Sequence, residues 1–235
     1  MQQNKTKEIE FFDNFTEAQD YDVFTPTGYA VIIKEFKRLA GTRLSDGCRV
    51  IDLGCGTGAF TRRFFKNITA EAMGIDISPQ SIKTARSKND GISYQVGDIE
   101  HLDLKDNSMD LVVFSAVLHH FPDFSGCLKE AYRVLKKGGC ILSYDPHINS
   151  PLMWLYRHPS SPLFSSVGKT EYEQLLSAGQ VRAHFMKAGF VNIQTRAVSS
   201  VMFRYVESRA ARFFLPVYNF AEFLLGISPL AKNYG

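Results

Sequence analysis

Residues 50–58 read Val50-Ile51-Asp52-Leu53-Gly54-Cys55-Gly56-Thr57-Gly58, an apolar β-branched run passing directly into three glycines at alternate positions. Glycine in such a turn permits positive φ and lets a ligand lie against bare backbone. The pattern after it changes to helical, with Phe60, Phe64, Phe65 and Ile68 on one side of Thr57–Ile68. Strand, glycine turn and amphipathic helix together make the first unit of an α/β sheet whose ligands bind at the carboxyl ends of its strands.

The alternation continues outward from this unit. Further apolar runs cover 70–78, 92–100, 109–118 and 139–145. Ser78 and Pro79 open a helix reaching Asn89, as N-cap and first helical residue. Phe124, Cys127, Leu128, Ala131, Val134 and Leu135 form another helical face, stopped by Gly138-Gly139. Unbroken apolar strands alternating with helices predict a doubly wound, mostly parallel sheet with helices on both faces. One domain is expected over 1–235: a helical cap (1–47), a core (48–145), a lid insertion after the fifth strand (146–180), and a helix, strand and apolar tail (181–235). Val191–Met202 is read as a sixth strand.

The 235 residues carry 27 basic and 24 acidic side chains, a formal charge of +3, which leaves no excess charge for a nucleic-acid surface. No run of about 18 apolar residues predicts a transmembrane segment. No secretion signal is apparent, and the four cysteines form no CxxC pair, so a reducing cytoplasm is the expected compartment.

Acids mark the strand ends. Asp76, in Gly74-Ile75-Asp76-Ile77-Ser78, stands 22 residues after Gly54, the spacing at which nucleotide-binding sheets place an acceptor for ribose hydroxyls. Gly97-Asp98-Ile99 ends the third strand, so Asp52, Asp76 and Asp98 share one rim. The G-x-G-x-G spacing departs from the dinucleotide fingerprint G-x-G-x-x-G, and Thr61-Arg62-Arg63 supplies no P-loop Lys-Ser/Thr.

DLGCGTG, GIDIS, GDIEHLDL, MDLVVFSAVLHHF and RVLKKGG, in this order, resemble the class I S-adenosylmethionine-dependent methyltransferases, and within them the small-molecule, quinone-biosynthesis-like branch. The resemblance covers about residues 48–145 and, more loosely, 180–202. It implies a Rossmann-like sheet of six to seven strands and S-adenosyl-L-methionine as cofactor, with S-adenosyl-L-homocysteine as product. Gly54, Gly56 and the backbone near Cys55 would then hold the methionine portion, with Ser115 offering backbone to it and Asp52 and Gly58 counted among the cofactor-binding residues. Asp76 would take the ribose, Ile77 would pack on adenine, and Asp98, with Ile99 beside it, would accept from the adenine amino group.

His119 and His120, after the fourth strand, and His147, after the fifth, are the candidate catalytic groups, since imidazole titrates near neutral pH. Asp145 could accept from His147, bind substrate or cap the next turn. No ligand spacing indicates a metal site. Ser115-Ala116-Val117-Leu118 replaces the Asn/Asp-Pro-Pro-aromatic turn of base and amide methylases, so the expected acceptor is a small molecule. Phe11, Phe12, Tyr21, Phe24, Tyr29, Trp154, Tyr156 and Phe164 are candidates for its apolar pocket. An RNA or protein methyltransferase and a non-catalytic cofactor-binding scaffold are the alternatives. The tail RFFLPVYNFAEFLLG could pack on the sheet, form a homodimer surface or lie on a membrane. Nothing strand-like follows Leu225, so either Val201–Val206 supplies the family's last strand or the sheet keeps an open edge.

Overall fold

Five of the apolar runs become parallel strands: β1 (Arg49–Leu53), β2 (Glu71–Asp76), β3 (Ser93–Val96), β4 (Met109–Ser115) and β5 (Leu135–Tyr144). They lie in the order β3-β2-β1-β4-β5, so the chain builds outward from β1 in one direction and then in the other. A computed structural model describes residues 3–18, 22–150, 153–154, 157–161, 164, 169–198, 201–204 and 209–227. Tyr21 and Tyr156 lie outside the described residues, as do the last two positions of Val201–Val206.

Side chains alternate across the sheet with the two-residue period of a strand. Leu111 and Val113 face α2 (Pro26–Ala40) and α3 (Ala59–Phe64), joining Val50, Ile32, Phe36, Phe60 and Phe64 in one core. Val112 and Phe114 face the other way, joining Ile51, Leu53, Leu128 and Ala131 of α5 (Ser125–Val134), and Phe185 of α6 (Ala178–Lys187). Both faces are therefore covered, as a parallel sheet requires.

Local chemistry sets the helix starts. Thr25 accepts from the Gly28 N–H ahead of Pro26, and Ser78 accepts from the Ser81 N–H ahead of α4 (Pro79–Arg86). Ser177 and Gln180 form a reciprocal capping box on α6. Two helices are shorter than their sequence patterns: α3 ends at Phe64 rather than Ile68, and α4 at Arg86 rather than Asn89. Asn67 and Asn89 adopt positive φ just beyond them, which ends helical propagation.

Two strand expectations need correction. The sheet has five strands among the described residues, not six to seven, and Val191–Met202 forms no strand there. The end of that segment instead meets the N-terminal flank. Thr25 N–H donates to the Met202 carbonyl at 2.9 Å, Arg204 N–H donates to the Val23 carbonyl at 2.8 Å, and Phe24 bridges Phe203 in antiparallel fashion. Gly138-Gly139 also lies inside β5 rather than behind a helix. The strand starts at Leu135 opposite Met109, slips register, and resumes at Cys140 opposite Leu111, with Gly138 at φ 82° in the irregular stretch.

The helix α1 (Lys5–Ala18) lies across the carboxyl rim of the sheet, where Thr16 Oγ1 meets Ser81 Oγ at 2.9 Å. At the other end of the chain, α7 (Arg209–Ile227) turns its polar side inward: Asn219 bonds both backbone groups of Phe203, and Glu222 is buried. Phe213, Phe214, Val217, Phe220, Phe223 and Leu224 face outward. Among the described residues no helix is long and apolar enough to cross a membrane.

Phe114, wholly buried at the centre of the α5 and α6 face, is the strictest test of this packing. Phe114→Ala is expected to lower unfolding free energy by about 3–5 kcal/mol, read by urea denaturation with the slope unchanged.

Candidate functional site

At the end of β1 the backbone reverses through Gly54 (φ 77°), Gly56 (φ 52°) and Gly58 (φ 71°). The Gly54 and Cys55 N–H groups both donate to the Ile75 carbonyl, at 2.7 and 3.0 Å, tying the loop to β2. A Cβ on Gly54 would collide with Val117 and one on Gly58 with the Tyr94 hydroxyl, whereas the space before Gly56 holds no atom within 4 Å. The loop is therefore packed at its shoulders and open at its crown, a bare-backbone cradle.

Three acids stand around that cradle in different environments. Asp52 is almost fully buried; one oxygen accepts from the Thr61 hydroxyl at 2.6 Å, while the other has no hydrogen-bond partner, nor does the buried Thr57 hydroxyl. Burial pushes the Asp52 carboxyl up to about 7, with Asp76 adding to the rise and Thr61 opposing it. Asp76 accepts from Gly56 N–H at 2.8 Å on one oxygen and from Ser78 N–H at 2.9 Å on the other. Its carboxyl is also raised by burial, against the pull of those N–H groups. The orphaned oxygen, the orphaned hydroxyl and the open crown suit a ligand that brings its own donors and positive charge.

Asp98 is only half-buried and is held by α1: Lys5 Nζ contacts its carboxylate and reaches Glu100 at 2.7 Å. Burial works to raise this carboxyl, but Lys5, the Glu100 N–H and His101 outweigh it and hold it below the usual range. Farther along α1, Asp13 accepts from the Ser78 hydroxyl and the Gln80 N–H. Ile99 is buried beside Asp98, and Ile77 is half-buried after Asp76.

The rim continues across β4. Ser115 is half-buried, Ala116 takes a positive φ of 59°, and a short turn (Leu118–His120) brings two imidazoles together with ring centres 4.0 Å apart. The side chains of His119 and its partner Asp145 are both buried. Asp145 Oδ1 accepts from the His119 backbone N–H at 3.1 Å and lies 2.9 Å from Nδ1, while Ser143 donates to Oδ2 at 2.7 Å. His120 Nδ1 faces the Thr170 hydroxyl at 3.3 Å, and Phe12 of α1 meets its ring edge-on. Burial drives the His120 pKa well down, with the neighbouring His119 and Arg157 adding to it.

Glu8 of α1 closes this polar pole. Burial lifts its carboxyl to about 7, with Glu173 and Glu171 adding to the rise and Thr170 opposing it. Glu173 is paired with Arg157 at 3.6 Å. His147 stands apart from the pair: Asn149 N–H lies 3.1 Å from its Nδ1 and Ala178 N–H 3.3 Å from its Nε2. Asp145 thus partners His119 rather than His147.

Of the aromatic pocket candidates, Phe24 and Tyr29 belong to the core behind β5. Trp154 stacks on His158, and Phe164 lies under Lys169. Phe12 reaches the histidines.

A doubly wound sheet with a bare glycine cradle after β1 and acids ending β2 and β3 defines a nucleoside-binding α/β protein. Comparison with known proteins gives the chemistry. Residues 51–143 match the methyltransferase domain family. The chain is 31% identical over 178 residues to a demethylmenaquinone methyltransferase of Lactiplantibacillus plantarum, covering 66% of this chain and 75% of that one. The corresponding enzyme of Staphylococcus aureus is 30% identical over 171 residues, covering 64% and 71%. A Thermotoga maritima S-adenosylmethionine-dependent methyltransferase, described as a possible histamine N-methyltransferase, shares the fold with TM-score 0.65 at 23% identity, over 85% of this chain and 90% of that one. The chain belongs to the class I S-adenosylmethionine-dependent methyltransferases.

Asp52 gives a pH test of the buried rim. Its folded pKa lies above the ordinary carboxylate value, so the folded chain keeps a proton that the unfolded chain releases. That contribution to stability is complete below about pH 4 and is lost as pH rises through about 7. Asp52→Asn should therefore show a smaller fall in melting temperature than wild type between pH 4 and 7 in the absence of cofactor, read by differential scanning calorimetry.

Proposed function

We propose that the chain transfers the methyl group of S-adenosylmethionine to a small molecule held between the Gly54–Gly58 cradle and the His119–His120 turn. Asp76 would receive the ribose hydroxyls on the lone pairs that its two backbone donors leave free. Asp52 and Thr57, each with an unpartnered buried atom, would meet the methionine end. Ile77 and Ile99 would pack against adenine, and Asp98 would accept its amino group alongside Lys5.

The sulfonium supplies an already activated methyl group, so the protein's work is alignment, worth about 7–11 kcal/mol when two reactants are held at attack distance. Carbon acceptors ask for more: a hydroxylated aromatic ring becomes nucleophilic at carbon when a hydroxyl proton is removed. The relatives act, by name, on demethylmenaquinone, and an acceptor of that class, arriving already reduced to its hydroquinone form and so carrying the ring hydroxyls, is the reading carried here. Its single strongest support is the buried His119–Asp145 pair at the joined ends of β4 and β5. The carboxylate fixes the imidazole tautomer and steadies positive charge on the ring, the arrangement that prepares a group to take a proton. Phe12 provides an apolar wall beside it.

Methyl transfer to a hydroquinone acceptor, followed by mass spectrometry, tests this reading; transfer to amines or to RNA with no transfer to hydroquinones would replace it. His119→Ala should slow single-turnover transfer by roughly 100-fold or more while leaving cofactor affinity unchanged. Asp76→Ala should do the opposite, raising the calorimetric Kd for S-adenosylmethionine about tenfold or more and leaving transfer at saturation largely intact.

A further inference from the structure

The polar pole around His119 holds more acceptors than a proton-transfer pair uses. One ring nitrogen each of His119 and His120 and a carboxylate oxygen of Glu173 lie within 4.8 Å of one another. The Nδ1 of His119 is committed to Asp145, which also takes the backbone N–H of the same residue and so acts as acceptor. The Nδ1 of His120 faces Thr170. What each ring has left to offer is the Nε2 lone pair. Glu8, 3% exposed and interacting with both Thr170 and Glu173, adds a buried carboxylate oxygen with no hydrogen-bond partner. Among the described residues, the carboxyl groups of Glu8, Asp145 and Glu173 thus stand beside the two imidazoles, with Arg157 a cation paired to Glu173. Acceptors gathered in this way are stable when a further cation lies among them.

We propose that His119, His120 and Glu173 form a binding site for one divalent first-row transition-metal ion of the zinc type. Two imidazoles and one carboxylate are a three-ligand donor set that leaves a position open, and nitrogen donors favour zinc over magnesium or calcium. Asp145 behind His119 and Thr170 behind His120 are outer partners of the kind that orient metal-ligating histidines. Bonds of about 2.1 Å draw the ligand atoms to about 3.4 Å apart, an adjustment within reach of side-chain rotation. Sequence spacing conceals the set, because the adjacent histidines open the crossover after β4 and the glutamate arrives from the end of the 146–180 insertion. The inference rests on the proposed acceptor site for its consequence: with the ion bound the Nε2 lone pair of His119 is taken, so the ion, and not the imidazole, would activate the acceptor there, by binding its oxygen at the open position and lowering its pKa.

The test uses the full chain, stripped with chelator and titrated with zinc chloride in a calorimeter without cofactor or acceptor. One ion per chain with Kd in the micromolar range or tighter is expected, with visible d–d bands on cobalt substitution. His120→Ala and Glu173→Gln should each weaken binding at least tenfold, and Asp145→Asn about 10–100-fold. S-adenosylhomocysteine affinity serves as the check that each variant is folded. Where a variant unfolds, the imidazole proton resonances of wild type decide: zinc shifts those of His119 and His120 if the assignment is right and leaves them in place if it is wrong. Absence of stoichiometric zinc binding, or equal binding by folded variants, overturns the proposal. Because neither methyl donor nor acceptor is present, that failure leaves the methyl-transfer reading standing, and failure of the acceptor assays leaves this one standing.

Discussion

All five strands point the same way, and the rest of the molecule follows from that constraint. A parallel sheet delivers every strand's carboxyl end to one rim, so residues distant in sequence, Asp52, Asp76, Asp98, Ser115 and Asp145, come to share a boundary. The order β3-β2-β1-β4-β5 splits that rim at β1 and β4, where successive crossovers leave in opposite directions. Ligand crevices in doubly wound sheets open at this split. Here the glycine cradle lies on one side of it and the histidine turn on the other.

Concentrating acids and imidazoles at a buried rim costs stability, and the structure meets that cost with backbone donors and hydroxyls. Gly56 and Ser78 supply N–H groups to Asp76, Thr61 a hydroxyl to Asp52, and His119 and Ser143 their donors to Asp145. The compensation is incomplete: an oxygen of Asp52 and one of Glu8 lack partners, and burial raises both carboxyls to about 7. Sites that are to receive charged or donor-rich ligands carry this kind of residual demand.

The sheet and its rim were legible in the sequence because strand periodicity, the G-x-G-x-G turn and acids after apolar runs are local signals. Elsewhere a local signal has two meanings. Gly138-Gly139 serves as a strand irregularity rather than a helix stop, and Val191–Met202 has strand composition without a strand neighbour among the described residues. The partners at the polar pole were illegible for another reason. Glu8, Asp13 and Lys5 look like the solvated side of an amphipathic helix, and only tertiary placement turns them onto the rim. Asp145 could be located from sequence, but its choice of His119 over His147 depends on how the turn after β4 folds back.

That placement of α1 ties occupancy to motion. Lys5, Asp13 and Thr16 grip Asp98, Ser78 and Ser81, three points on the floor where an adenosyl group would rest. Swapping a spent nucleoside for a fresh one then requires the helix to release several of these grips and regain them. The helix Lys5–Ala18 would act as a hinged door whose ionic catch, Lys5 on Asp98 and Glu100, loosens as salt is added.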